Sequence, residues 1–482
     1  MTKCAPPKNR LRNSIPVSLG IFVAIGSLAF GAQEQIEVPS RPLSLKDCIA
    51  LALNESPLLD ASRLDVASAT EEARAVRGQA LPEITASGSA ELFSGSPIGK
   101  FSIVSTGSSV IVVPTPPPNP NRPPNPNPGN NGSRSVDGAG VEVYAAHLSY
   151  PLFRDGSILG LNTGPAEASK LARKRNLAWT SKMRREDVIA RITDAFITTV
   201  SAENRAGYAE KRVNLLHQQV DITQEQQKQG LMLPIDLKLA RSQLSGAQTL
   251  AKILRQQSVA GRIELARALG FESPDQLHLS NSLPEPPEPP SADKILSPAA
   301  LAEHPSLEIQ KAVIDQARQD YRLERFRLYP SVTLQGSAIH IDDFGSNGAE
   351  VYSGTVRVDV PIFDFGAQTS ATRAKLAKYQ AERSRLSAVA DDVTFEIVTI
   401  YQSIYVLSQN ILSLQQEVAK ADRDLQVIGS QQQVGISPPL TAIEKELHLI
   451  EKRDNLDGLE VRRLELYAAL QKAAGGSWKW IQ

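Results

Sequence analysis

The sequence predicts a mainly α-helical chain with a small β part: long coiled-coil helical hairpins joined to four transmembrane β-strands, built as an internal two-fold repeat. Three observations predict it. A set of landmarks recurs in the same order in the two halves of the chain. Two very long polar-rich stretches carry apolar residues with the 3.5-residue period of a coiled coil. Four short stretches alternate apolar and polar residues with a period of two, as a wall between lipid and water does.

The duplication is read residue by residue. Tyr150-Pro151-Leu152-Phe153-Arg154-Asp155-Gly156 matches Val360-Pro361-Ile362-Phe363-Asp364-Phe365-Gly366, and Asn54-Glu55-Ser56-Pro57 matches Ala302-Glu303-His304-Pro305. Leu81-Pro82 matches Tyr329-Pro330, and Gly230-Leu231-Met232-Leu233-Pro234 matches Gly435-Ile436-Ser437-Pro438-Pro439. The first half carries two insertions, a Pro/Asn run between Pro114 and Asn131 and a Gly-containing piece around Ser157 to Pro165.

Residues 1–31 read as an export signal. Lys3, Lys8, Arg10 and Arg12 precede an apolar run from Ile15 to Phe30, with Ala29, Gly31 and Ala32 as small residues for cleavage. The run is short of the roughly 20 residues of a spanning helix. Cys4 precedes it, so a non-lipidated mature chain is expected. Removing the signal shifts the formal balance from zero to about −4, which favours neither nucleic acid nor an anionic surface. Cys48 is then the one cysteine, so no intrachain disulfide forms; it sits among Leu45, Ile49 and Ala52 and reads as a packing residue. No other stretch approaches a membrane helix in apolar length, so a membrane would be crossed by strands.

The first repeat spans 41–272. Leu43 to Gln79 is helical, with Ser44 and Asp47 as a capping start and a break at Pro57. A strand at about 82–93 sets Ile84, Ala86, Gly88, Ala90 and Leu92 on one face; its partner lies at about 141–152. Between them Ser94 to Gly138 reads as a low-complexity loop with an extended, solvated Pro/Asn core. Ala166 to Gln229 forms a helix of roughly 95 Å. Its seam is Ala195, Thr199, Ala202, Ala206, Ala209, Val213, Leu216, Val220 and Thr223. A Gly-then-Pro break at 230–234 makes a hairpin tip, and the seam resumes at Leu237, Ala240, Leu244, Ala247, Ala251 and Leu254.

Residues 273–298, with the run PEPPEPP, read as an exposed linker forming a belt of irregular structure about the helices. The second repeat, 299–474, has strands at about 330–341 and 351–362 joined by a turn with Asp342, Asp343, Gly345 and Asn347. In the second of these, Tyr352, Gly354, Val356, Val358 and Val360 share a face opposite Ser353, Thr355, Arg357 and Asp359. Ala367 to Val434 forms a helix of roughly 100 Å. Its larger seam is Ile400, Ile404, Leu407, Ile411, Leu414, Val418, Ala421, Leu425 and Ile428. The tip at 435–439 leads to Leu440, Ile443 and Leu447 on the return helix, and 475–482 is a tail.

Four strands cannot close in lipid. Transmembrane barrels start at about 8 strands, and an open edge leaves backbone groups unpaired at several kcal/mol each. The chain must share a barrel with other copies: two copies would supply eight strands and three would supply twelve.

The LSLKDCIALALNESP opening, the YPLF and VPIFDFG junctions, the QGLMLPIDL and VGISPPL tips and the GGSW ending resemble the TolC family of outer-membrane efflux ducts, over essentially the whole mature chain. The resemblance implies a homotrimer whose twelve strands form one barrel in the outer membrane and whose helices form a tunnel in the periplasm. It also implies a duct passing substrates to the exterior in a tripartite efflux or type I secretion system. The partners would be a periplasmic adaptor, an inner-membrane pump of the RND, ABC or MFS type, and outer-membrane lipid. The family's periplasmic gate carries over to Asp236, Thr441 and Glu444. At Thr441 the usual aspartate is missing, so the gate would be less acidic. Threefold symmetry would still make Glu444 a ring of carboxylates that attracts cations. Gly230, Leu231, Gly435 and Ile436 match the tips where adaptor hairpins dock.

Two rival classes bear on this reading. The six histidines are scattered, and no HExxH, GxSxG or Cys/His cluster with metal spacing occurs, so neither an enzyme nor a bound cofactor is expected. The second is a secreted or periplasmic structural coiled-coil protein without transport activity.

Overall fold

The computed structural model describes residues 42–92, 101–106, 109–114, 135–136, 140–271, 273–280, 283–289, 291–343 and 346–480; the signal segment and the Pro/Asn core lie outside these. Two helices, α1 (Leu45–Glu55) and α2 (Pro57–Gly78), lead into strand β1 (Glu83–Leu92). Strands β2 (Phe101–Thr106), β3 (Ser109–Pro114), β4 (Ser135–Val136), β5 (Gly140–Arg154) and β6 (Ser157–Ile158) follow. Helices α3 (Pro165–Lys228) and α4 (Pro234–Leu269) form the first long hairpin. After short α5 (Ala292–Ile295) and α6 (Pro298–Ala302), the pattern returns as α7 (Pro305–Phe326), β7 (Ser331–Asp343), β8 (Ser346–Asp359), α8 (Ala367–Gln433) and α9 (Pro439–Ala473).

The helix starts follow from local chemistry. Ser44 caps α1 through a reciprocal pair with Asp47, and Pro57 and Pro305 open α2 and α7 at the first helical position, where a missing N–H costs nothing. The cap of α7 is His304. Its buried ring accepts from Ser306 N–H through Nδ1, so Nε2–H donates to the Ala473 carbonyl at 2.8 Å, tying the start of α7 to the end of α9.

The main sheet runs β1-β5-β7-β8, each pair antiparallel, with β6 folded back on β5. The helices repeat this order. Near the sheet α2 lies on α3, α3 on α7 and α7 on α8; toward the tips α4 lies on α3, α3 on α9 and α9 on α8. Each long strand thus continues the column of the helix it is joined to. The sheet and the helical layer share two open sides, β1 with α2 and α4 on one, β8 with α8 on the other.

The α8 seam closes as its period requires, with Ile404, Leu407, Ile411 and Ala421 buried and the other five positions half-buried. In α3, Thr199, Ala206, Ala209, Leu216, Val220 and Thr223 are buried, and Ala206 and Ala209 pack on Leu254 of α4. The deepest packing lies between sheet and tips, where α1 covers α3 and α4 and a second layer forms. Phe196, Ile197, Val200, Leu265, Leu269, Leu470 and Cys48 are fully buried there. Leu43 pairs with Leu279 of the linker in a parallel bridge, and Tyr467 packs on Trp478 and Trp480. Burial pushes the Cys48 thiol up to about 12, with Asp47 adding to the shift, as befits an inert packing residue.

Five expectations are corrected. The stretch Ser94 to Gly138 is not all loop: β2, β3 and β4 form a second antiparallel sheet in the order β3-β2-β4, because Phe101–Thr106 and Ser109–Pro114 are rich in β-branched residues. The last strand spans Ser346–Asp359 rather than 351–362, since Pro361 has no N–H to give a ladder. Asp342 and Asp343 belong to β7 and Asn347 to β8 rather than to the turn between them. Strand β5 runs on through Pro151 to Arg154, with a register shift between Pro151 and Phe153 that absorbs the proline. Finally, α8 does contain a stretch long and apolar enough to span a membrane by length and composition; much of its apolar character is the seam itself.

Candidate functional site

Both hairpin tips are built the same way. At the first, Gly230 N–H donates to the Gln227 carbonyl and Leu231 N–H to the Gln226 carbonyl; at the second, Gly435 N–H donates to Gln432 and Ile436 N–H to Gln431. These are paired Schellman closures, which require a left-handed residue. Gly230 has φ 75 and Gly435 φ 77, and a Cβ on either would meet open space. Glycine is there for its backbone, not for room. Pro234 and Pro439 then start the return helices.

The turn chemistry forces apolar side chains outward. Leu231, Leu233 and Ile235 are 71%, 65% and 63% exposed at the first tip; Val434 and Ile436 are 75% and 72% exposed at the second. Large apolar side chains grouped this openly at a hairpin tip are unusual on a surface that meets only water.

The three gate candidates sit close behind. Asp236 and Thr441 occupy the same third position of their helices, and Glu444 lies one turn further along α9 on the face of Thr441. Asp236 is half-buried, and its Oδ2 accepts from the Leu233 N–H at 3.0 Å. The carboxylate therefore caps α4, and it is well placed against the positive end of the helix. Thr441 N–H donates to the Pro438 carbonyl, and Glu444 is exposed. Among the described residues no group of three or more His, Cys, Asp or Glu could hold a metal ion.

Behind the tips lie contacts that sequence reasoning missed, the polar clasps between columns. Arg205 of α3 pairs with Asp454 of α9 at 3.3 Å, and the adjacent Tyr208 hydroxyl bonds Asp457. Burial first, then Asp457, pushes the Tyr208 hydroxyl up to about 12, and burial also holds the Asp457 carboxyl above the usual carboxylate range. Lys452 pairs with Glu417 at 2.7 Å and Arg453 with Asp422 at 3.1 Å across α8 and α9; Arg262 bonds Glu203 across α3 and α4. The Lys452 hydrogen bond draws the Glu417 carboxyl down. No spacing within one helix reports such pairs, because each partner lies on a different helix.

Residues 296–476 match the family described as outer membrane efflux protein. That match falls on the second repeat. It agrees with the TolC-family resemblance read from the sequence motifs. The pyoverdine export outer membrane protein OpmQ of Pseudomonas aeruginosa is 27% identical over 47% of this chain and 48% of its own length. That of Pseudomonas putida is 22% identical over 60% of this chain and 62% of its own length. The chain thus spans from about half to three-fifths of the curated relatives it matches.

Among solved structures, the Campylobacter jejuni CmeC outer membrane channel superposes with a TM-score of 0.70 at 13% identity, covering 91% of this chain and 87% of that one. The Vibrio cholerae outer membrane protein VceC gives 0.66 at 17% identity, covering 90% and 97%. These likenesses establish the fold: long helices with a small antiparallel sheet.

Proposed function

We propose that three copies close a twelve-stranded barrel in the outer membrane, continued by a helical tunnel in the periplasm, and that the assembly is the exit duct of a tripartite efflux or type I secretion system. The observation that carries the reading is the pair of open edges. β1 and β8 are the outermost strands of an all-antiparallel sheet and run in opposite directions. β8 of one copy can therefore continue into β1 of the next without breaking the alternation, and a ring leaves no edge in lipid. The helical layer supports it. Leu239, Leu250 and Ile253 of α4 and Tyr405, Leu412 and Val427 of α8 are exposed at the two open sides of the same layer. The resemblance to the TolC family favours three copies over two.

In this reading the tips carry the partner-facing chemistry. Gly230, Leu231, Gly435 and Ile436 receive a periplasmic adaptor, which in turn engages an inner-membrane pump. Asp236, Thr441 and Glu444 narrow the tunnel mouth, with Glu444 as its exposed carboxylate. From the relatives named for pyoverdine export we extend to this chain the direction of transport and not the cargo.

The test is Gly435→Trp, made in the full chain in its own outer membrane. The left-handed turn cannot accept the side chain without strain. The expected result is loss of export with heat-modifiable trimers still present on gels. Normal export by that variant removes the docking role; a parent chain that fractionates as a soluble monomer removes the duct.

A further inference from the structure

We propose that the insertion 157–164, present only in the first repeat, is a socket that receives Ile362, Phe363 and Phe365 of a neighbouring copy where sheet meets helices. The inference rests on the ring reading above and specifies one of its contacts.

Both repeats leave their strand through the same turn, Asp155 and Gly156 at φ 53 and 82, Phe365 and Gly366 at φ 53 and 83. They then diverge. In the second repeat α8 starts at once, with the Asp364 carboxylate accepting from Gly366 and Gln368 N–H at 3.0 and 2.7 Å. In the first, the chain folds back as β6 and crosses to the turn that ends α2. Gly160, at φ 67, lies so close there that a Cβ would sit 2.6 Å from the Ala80 carbonyl oxygen. Tyr150 Oη donates to the Leu159 carbonyl at 2.8 Å, and Asn162 accepts from Ile158 N–H and donates to the Gly156 carbonyl. The insertion is pinned at both ends.

It frames a cleft of about 90 Å³ against Val76, Ala80 and Pro151. A small-molecule site holds roughly 300 Å³ or more; this one suits a side chain. Its wall is mixed, with Arg77, Arg154, Asp155 and Glu167 beside the apolar residues, and its apolar rim is exposed: Leu81 43%, Ile158 55% and Leu161 84%.

The second repeat presents the complement. Ile362, Phe363 and Phe365 are 92%, 76% and 91% exposed, with the two aromatic rings packed on each other at 4.6 Å. Phe365 is held at φ 53, a left-handed conformation that L side chains rarely adopt and that a contact outside the chain would help to hold. Position joins the two patches. Ala80 and Leu81 immediately precede β1, and Ile362 to Phe365 follow β8, both on the helix side of the sheet. When β8 meets the next copy's β1, these are the segments that meet beneath them. With one patch and one socket per chain the contact is heterologous, and rotation closes it. The rival occupant is lipid, since aromatic side chains also gather at membrane surfaces.

The test uses the full chain in outer membranes and a bis-maleimide read on denaturing gels. Leu161→Cys with Phe365→Cys, and separately Leu81→Cys with Phe363→Cys, are expected to give a ladder reaching the trimer, while each single variant runs as a monomer. Cys48 stays silent, buried with its thiol pushed up to about 12. Ile84→Cys with Val358→Cys reads the strand edges independently. If the edge pair links and both socket pairs remain monomeric, the socket is overturned and the ring stands; if none links, the ring falls too. Alanine at both Phe363 and Phe365 should lower the temperature at which trimers dissociate, and trimers as heat-stable as the parent's would assign the rings to lipid and overturn the socket.

Discussion

Replacing Gly476 by alanine separates two costs that a tip glycine cannot. Gly476 has φ 77, and a Cβ there would lie 2.8 Å from Glu186 Oε1 and 3.0 Å from its Cδ. Glu186 is buried, and its Oε2 accepts from Gln471 Nε2 at 3.1 Å. The variant therefore pays about 1–2 kcal/mol for a left-handed alanine. It also displaces a buried carboxylate from a hydrogen bond worth about 1.5–3 kcal/mol. The sum is about 2.5–5 kcal/mol. At an unfolding entropy of about 2 cal/mol/K per residue, a chain of this length loses about 1 °C per kcal/mol, so Tm should fall by about 3–5 °C. Gly230→Ala, with open space around its Cβ, carries the strain alone and should fall by about 1–2 °C. The assay is far-UV circular dichroism on both variants in the same detergent. Equal shifts at the two sites would refute the reasoning, because the Glu186 contact would then contribute nothing.

Three further outcomes are expected. Phe196→Ala removes a fully buried ring and should cost about 3–5 kcal/mol in denaturant titration; a loss under about 1 kcal/mol would show that the belt is not the core. Asp457 has its folded pKa raised above the free-carboxyl value, by burial and by Asp454, against Tyr208 and Arg453 which lower it. The stability of its protonated form is full below the unfolded pKa and is lost as pH rises through the folded one. Asp457→Asn should therefore melt higher than the parent at pH 7 and converge with it toward pH 4, and a difference constant with pH would contradict the assignment. Glu444→Gln should weaken cation block of conductance in planar bilayers, and unchanged block would place the responsible carboxylate elsewhere.

The seams and tips were legible because their signals are local. A 3.5 period states which side of a helix is buried, and glycine followed by proline states where the chain turns; the structure places Leu407, Ile411 and Gly435 accordingly. The strands between β1 and β5 are masked in the sequence by a Pro/Asn run that dominates the composition there, although Ile103, Val104 and Val110 to Val113 carry a β signal. The cap at Asp236 was also readable, as an acid at the third position of a helix that starts on proline. The clasps Arg205–Asp454 and Lys452–Glu417 were beyond any single-helix pattern, since they depend on which columns become neighbours.

If β1 and β8 close against sister copies in the membrane as proposed, the two outer margins of the sheet have a kinetic consequence. A solitary chain pushed into hydrocarbon would strand a row of amides and carbonyls along each margin, so insertion and oligomer formation have to be one concerted event. Biogenesis should then depend steeply on subunit concentration, and scarce chains would accumulate in the aqueous compartment rather than as half-built pores.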